Sequence, residues 1–113
     1  MSRNINRRGG LKIRAAAFAA LGAEARLVLI EKLSTGAPQS ISRLADGSTL
    51  TRQAITKHLR VLEEAGVVKS IRVGRESLFE FRSEPLKELQ SYLECVSKQW
   101  DDVLARLKRF VES

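Results

Sequence analysis

The chain has 113 residues, with 20 Lys and Arg against 13 Asp and Glu, and a formal net charge of +7. That length suits one domain, buries only about two-thirds of its unfolded surface when alone, and therefore suggests a partner subunit. No apolar run reaches the roughly 18 residues of a membrane span, the single Cys excludes an internal disulfide framework and fits a reducing cytosol, and the single His argues against a His-based metal site or a catalytic triad.

Residues 1–11 read as a flexible basic arm that carries Arg3, Arg7 and Arg8 and closes on Gly9-Gly10. No apolar h-region follows, because Lys12 and Arg14 interrupt it, so the arm is not a secretory signal. From residue 11 to 21 the Ala-rich run favours helix until Gly22. Residues 24–33 read as a second helix with Leu27, Ile30 and Leu33 at helical spacing. After a turn at 34–38, a short helix is expected near 40–45, with Ile41, Leu44 and Ala45 on one face. Asp46-Gly47-Ser48 is turn chemistry.

Thr51 is a good N-cap for a helix over 52–65, and Gly66 is a plausible stop. Its apolar stripe is Ile55, Leu59 and Leu62, and its opposite face carries Arg52, Thr56 and Arg60, flanked by Gln53 and Lys57. The period then changes. Residues 67–73 and 77–82 are β-branched and aromatic runs around a Val73-Gly74-Arg75-Glu76 turn, which is a hairpin signature. From Pro85 the apolar residues Leu86, Leu89, Leu93, Val96, Trp100, Val103, Leu107 and Phe110 are spaced alternately three and four apart, an unbroken heptad pattern. A helix of that length is about as long as a globule of this size is wide, so its far end is expected on another chain.

The charge is uneven. Residues 1–14 carry five bases and no acid, and residues 51–75 carry six bases against Glu63 and Glu64, whereas residues 84–113 nearly balance. Two helices joined by a short turn, followed by a basic hairpin, form the winged helix-turn-helix plan. The fold class is mainly α with a β-hairpin wing and a long C-terminal dimerisation helix: arm 1–11, winged domain 12–83, dimerisation helix 84–113. Arg52, Gln53, Thr56, Lys57 and Arg60, with Thr51 at the helix start, are candidate donors to base edges and phosphates. Lys69, Arg72 and Arg75 of the wing are candidate phosphate or minor-groove contacts.

The stretch TRQAITKHLRVLEEAGVV followed by RVGRESLFEF resembles the ArsR-type winged-helix transcriptional regulators, and AFAALGAEARLVLIEKL resembles their first two helices, with Arg26 at the family's habitual arginine. The resemblance covers residues 15–82 and implies a homodimeric repressor that binds double-stranded DNA, with a small effector or none, and the expected location is the cytoplasm. By position it places Arg52, Gln53, Thr56 and Lys57 on the family's base-contacting residues and His58 on its His-Leu pair, where His58 joins the DNA-binding candidates as a residue that fixes the helix or touches a phosphate rather than binds metal. Metal-sensing members carry a Cys-x-Cys pair where this chain has Ser40-Ile41-Ser42, or paired Asp and His in a last helix that here has no His. No metal or other cofactor is therefore expected.

Cys95 reads as a small apolar residue of the dimer seam, with a redox thiol as the other reading, and Trp100 as an anchor of the same seam. An RNA- or ribosome-associated adaptor on the same fold needs exposed aromatics for stacking, and Phe18, Phe79, Phe81, Trp100 and Phe110 take core-like positions. A pure protein-interaction module leaves the basic segment 51–75 without a role. An enzyme is not expected, since no carboxylate pair has a defined partner, no Gly-rich phosphate loop exists, and the Ser residues have no base beyond His58.

Overall fold

The computed structural model describes residues 8–112, with side chains from Leu11. Five helices and three strands follow in the order α1 (Arg8–Ala20), α2 (Glu24–Leu33), β1 (Gln39–Ser40), α3 (Ile41–Ala45), α4 (Arg52–Glu64), β2 (Val68–Val73), β3 (Glu76–Phe81) and α5 (Glu84–Glu112). The expected arm divides. Arg3 and Arg7 lie outside the described residues, whereas Arg8 to Leu11 already belong to α1. Gly9 and Gly10 fall in the first helical turn, whose N–H groups have no intrahelical partner in any case, and the Ala-rich run behind them carries the helix.

Local chemistry sets the ends of the helices. The Thr51 hydroxyl accepts from the Ala54 N–H at 3.0 Å, and Ser40 caps α3 by accepting from the Arg43 N–H at 3.2 Å. Gly66 ends α4 at φ +78°, with its own N–H donating to the Glu63 carbonyl and the Val67 N–H donating to Leu62. That pair of bonds is a Schellman motif, and the left-handed residue it requires is the reason for glycine there. Gly74 has φ +63° and no non-glycine residue among those described has positive φ, so the two-residue wing turn Gly74-Arg75 has the type II′ pattern.

The strands form one antiparallel sheet in the order β1-β3-β2. β2 pairs with β3 from Val68↔Phe81 to Val73↔Glu76, and Gln39 and Ser40 add a short third strand opposite Phe79 and Leu78. The core lies between this sheet and α2, α3 and α4. It is built from Leu29, Ile30, Leu33, Leu44, Ile55, Leu59, Leu62, Val67, Val68 and Phe79, with Ala20 of α1 at its edge. The α2 stripe differs from the expected one: Leu29 is buried and Leu27 is about half exposed, because α2 turns Leu29, Ile30 and Leu33 toward α4.

α5 leaves this core behind. Its 29 residues span about 43 Å. The Cα radius of gyration is 18.6 Å, well above the roughly 13 Å expected of a compact chain this size. Among the described residues, it is the N-terminal part of α5 that packs on α1 and the core. Leu89 is 4% exposed and Leu86 leans on the core cluster. Against α1, the Arg14 guanidinium lies 4.5 Å over the Tyr92 ring, and Phe18 meets the same ring edge-on at 6.3 Å. Beyond that contact the stripe is open: Leu93, Trp100, Leu107 and Phe110 are exposed, Trp100 by 60% and Phe110 by 78%, while Val96 and Val103 are half-buried. The aromatics are thus not all core residues. Phe79 is buried and Phe81 half-buried, but Phe18, Trp100 and Phe110 sit on an apolar face shared by α1 and α5. Cys95 is exposed beside Arg14, Lys87 and Tyr92, off the stripe rather than in it.

Candidate nucleic-acid interface

α4 is the second helix of a helix-turn-helix, with α3 before it and the hairpin after it. Ile55, Leu59 and Leu62 are fully buried and fix which face turns outward. Arg52, Gln53, Lys57 and Arg60 are exposed on that outer face, and Thr56 is half-buried between them. Arg52 and Gln53 occupy the first turn. Thr56 donates its hydroxyl proton to the Arg52 carbonyl at 2.8 Å. Its remaining outward groups are an oxygen lone pair and a methyl, which suits contact with a thymine methyl better than donation to a base edge.

Two residues from the expected set have other tasks. The Thr51 hydroxyl is engaged as the N-cap. His58 faces away from the outer face: its Nδ1 lies 3.2 Å from Nη1 of Arg26 and accepts from it. Neither side chain joins the outward cationic group.

Strand alternation sorts the wing. Arg72 shares the face of Val68 and Ser70, the face that packs toward α4. Lys69 is on the reverse face, opposite Glu80 in the ladder. Arg75 sits at the exposed tip. The structure places Arg52, Gln53, Thr56, Lys57 and Arg60 on the outer face of α4, Arg72 on the wing strand that Glu63 ties to α4, and Arg75 at the wing tip.

Three polar side chains hold this surface in place. Glu63 accepts from the Ser70 hydroxyl at 2.8 Å, tying the end of α4 to the wing. Lys32 of α2 donates to the Leu44 carbonyl at the end of α3 at 3.1 Å, which sets α3 against α2. Arg26, which also donates to the Ala20 carbonyl, joins the end of α1 to His58. Lys32 and the Arg26–His58 pairing carry no local sequence signal, because their partners lie 12 and 32 residues away. Among the described residues no group of three or more His, Cys, Asp or Glu could hold a metal ion, and no helix is long and apolar enough to cross a membrane.

A family profile described as a helix-turn-helix domain matches residues 21–71. The chain is 40% identical over 80 residues to YuzN, an uncharacterized HTH-type transcriptional regulator of Bacillus subtilis strain 168, covering 66% of this chain and 87% of YuzN. It is 38% identical to the solved structure of an ArsR-like transcriptional regulator from Rhodococcus sp. RHA1, with a TM-score of 0.81 over 91% of this chain and 96% of that one. The chain belongs to the ArsR-type winged helix-turn-helix regulators. A homodimeric winged helix-turn-helix DNA-binding domain from Mycobacterium bovis shares the fold at a TM-score of 0.65, with 19% identity and 88% of each chain covered. As a DNA-binding transcriptional regulator, the protein presents α4 as its recognition helix and the β2–β3 hairpin as its wing.

Proposed function

We propose that this regulator is a cytoplasmic homodimeric repressor that reads a near-palindromic operator. The observation that carries the reading is the outer face of α4, where Arg52, Gln53, Thr56, Lys57 and Arg60 stand with no acidic residue among the outward positions of the first three turns, while the hairpin that follows adds Arg72 and Arg75. Gln53 and Thr56 supply base choice, and the cations position the protein on phosphate.

The apolar face of α1 and α5 supports the dimer. Leu93, Trp100 and Leu107 continue a heptad stripe that stays exposed on the protomer, and an apolar groove of about 430 Å³ lined by Phe18, Leu21, Leu86, Leu89 and Leu93 runs into it. Leu86 and Leu89 are spent largely on their own chain, so the seam between subunits begins near Leu93. Two subunits joined there present two α4 helices to successive major grooves about 34 Å apart.

The test is selection of bound duplexes from a random library by the full chain. Enrichment of a motif with two inverted half-sites supports the reading. Uptake of duplexes without any enriched motif overturns it. Exposed aromatics lie on α1 and α5, away from the cationic surface, so no stacking platform for single-stranded RNA adjoins the bases of α4.

A further inference from the structure

α4 is held to the body of the protein in two different ways. Its stripe of Ile55, Leu59 and Leu62 is buried completely, which fixes the depth of the helix, but apolar contact is not directional and tolerates small slides and rotations. Directional contacts must fix the rest. One is Glu63 on Ser70, at the wing end. The other is Arg26, a half-buried residue of the first turns of α2. Its Nε donates to the Ala20 carbonyl at 2.7 Å, its Nη2 reaches the Ala19 carbonyl at 3.4 Å, and its Nη1 donates to His58 Nδ1 at 3.2 Å. One planar guanidinium thus clasps the C-terminal carbonyls of α1 and the middle of the recognition helix. Lysine carries the same charge but lacks the fixed fork needed to serve all three acceptors. An arginine N–H only donates, so Nδ1 of His58 offers its lone pair and the proton of the neutral ring is on Nε2.

α1 contributes Phe18 to the open apolar face and stacks Arg14 on Tyr92 of α5. Whatever fixes α4 against α1 therefore fixes the recognition helix against the seam between subunits. We propose that Arg26 and His58 are positioning residues, a joint that sets the stance of α4 relative to the dimer seam and hence the half-site spacing the regulator accepts. This rests on the homodimeric, operator-reading function proposed above. The joint touches no base itself. It acts through Gln53 and Thr56, whose reach it aims.

The experiment has two arms, both on the full chain. In the first, ring nitrogen NMR of the wild type should show an unprotonated Nδ1 and a protonated Nε2 at His58, and Arg26→Lys should shift the Nδ1 signal. The opposite tautomer, or an Nδ1 signal indifferent to Arg26→Lys, overturns the joint without any DNA present. In the second, affinity is measured for the selected operator and for copies with the half-sites moved about two base pairs closer or farther. The wild type should prefer its own spacing by roughly fivefold or more, the lower end of ordinary coupling between sites. Arg26→Lys and His58→Leu should lose most of that preference while still discriminating bases within a half-site. His58→Asn, whose amide oxygen replaces Nδ1 as acceptor, should restore it. Variants that weaken every duplex by one common factor, or that remain as strict about spacing as the wild type, overturn the joint and leave the operator reading intact. A wild type indifferent to spacing overturns the operator reading and the role of the joint together, and the NMR result then stands only for the bond.

Discussion

Gln53 stands exposed in the first turn of α4 with an amide that donates and accepts, the pairing that suits adenine in a major groove. Gln53→Ala should cost about 1–3 kcal/mol on the operator and little on random DNA, measured as the ratio of the two affinities. Arg72 and Arg75 meet backbone rather than bases in this reading. Replacing both with Ala should weaken operator and random duplex alike and lower the salt slope by roughly two. A slope unchanged from the wild type would remove the wing from the interface. The outward cations of α4 were legible in the sequence, because the buried stripe at 55, 59 and 62 leaves only one face for them. His58 was not. Its contact is with a residue 32 positions earlier, and nothing in its own helix distinguishes a ring turned toward Arg26 from one turned toward phosphate. The face that Lys69 takes was not legible either, since sequence gives the charge, whereas the ladder gives the face.

At the scale of elements, the features readable in advance were those whose partners lie within a few residues. Thr51 and Ala54 are three apart, and the bonds around Gly66 span three to five residues, so cap and stop both follow from local spacing. β1 was invisible because two residues become a strand only by pairing with Phe79 and Leu78, far along the chain. Gly66 tests the local logic. A Cβ there would meet Pro85 Cγ at 3.5 Å, an ordinary contact, so the penalty of Gly66→Ala is confined to its positive φ and should be about 1–2 kcal/mol in denaturant unfolding. The first turn of α5 offers a second test. The Glu84 carboxylate is held below its ordinary value first by a hydrogen bond to its own backbone N–H and then by Arg82, 3.5 Å away. A lowered folded value means stability that is present above the unfolded glutamate range and is lost as pH falls through the lowered one. Glu84→Gln should therefore reduce the slope of stability with pH on the acid side and leave the slope near neutrality unchanged. The effect should be small, since the pair is exposed.

At the scale of the whole molecule, in the dimer proposed above, the long apolar face of α5 governs whether one recognition helix or two meets the DNA. A lone protomer would expose Leu93, Trp100, Leu107 and Phe110 along a helix that extends past its own core, and covering such a face is the main favourable term in subunit association. Trp100 is the single tryptophan of the chain and sits within the stripe, so its emission reports on the seam alone. In the wild type the emission should be that of a shielded indole and should move to longer wavelength on dilution through the dimer dissociation range. Leu93→Glu with Leu107→Glu places charges on the stripe at positions exposed in the protomer, so the folded core, which uses neither, is left intact. The double variant should run as a monomer in analytical ultracentrifugation, show the exposed Trp100 spectrum at all concentrations, and retain the wild-type helical content. Its affinity for an isolated half-site should be unchanged, while its affinity for the full operator should fall by about 100-fold or more, because the second half-site no longer benefits from the effective concentration that linkage provides. A double variant that stays dimeric would move the seam off the α5 stripe. One that is monomeric yet binds the full operator as tightly as the wild type would show that the two half-sites are read independently, and that the length of α5 serves something other than DNA recognition.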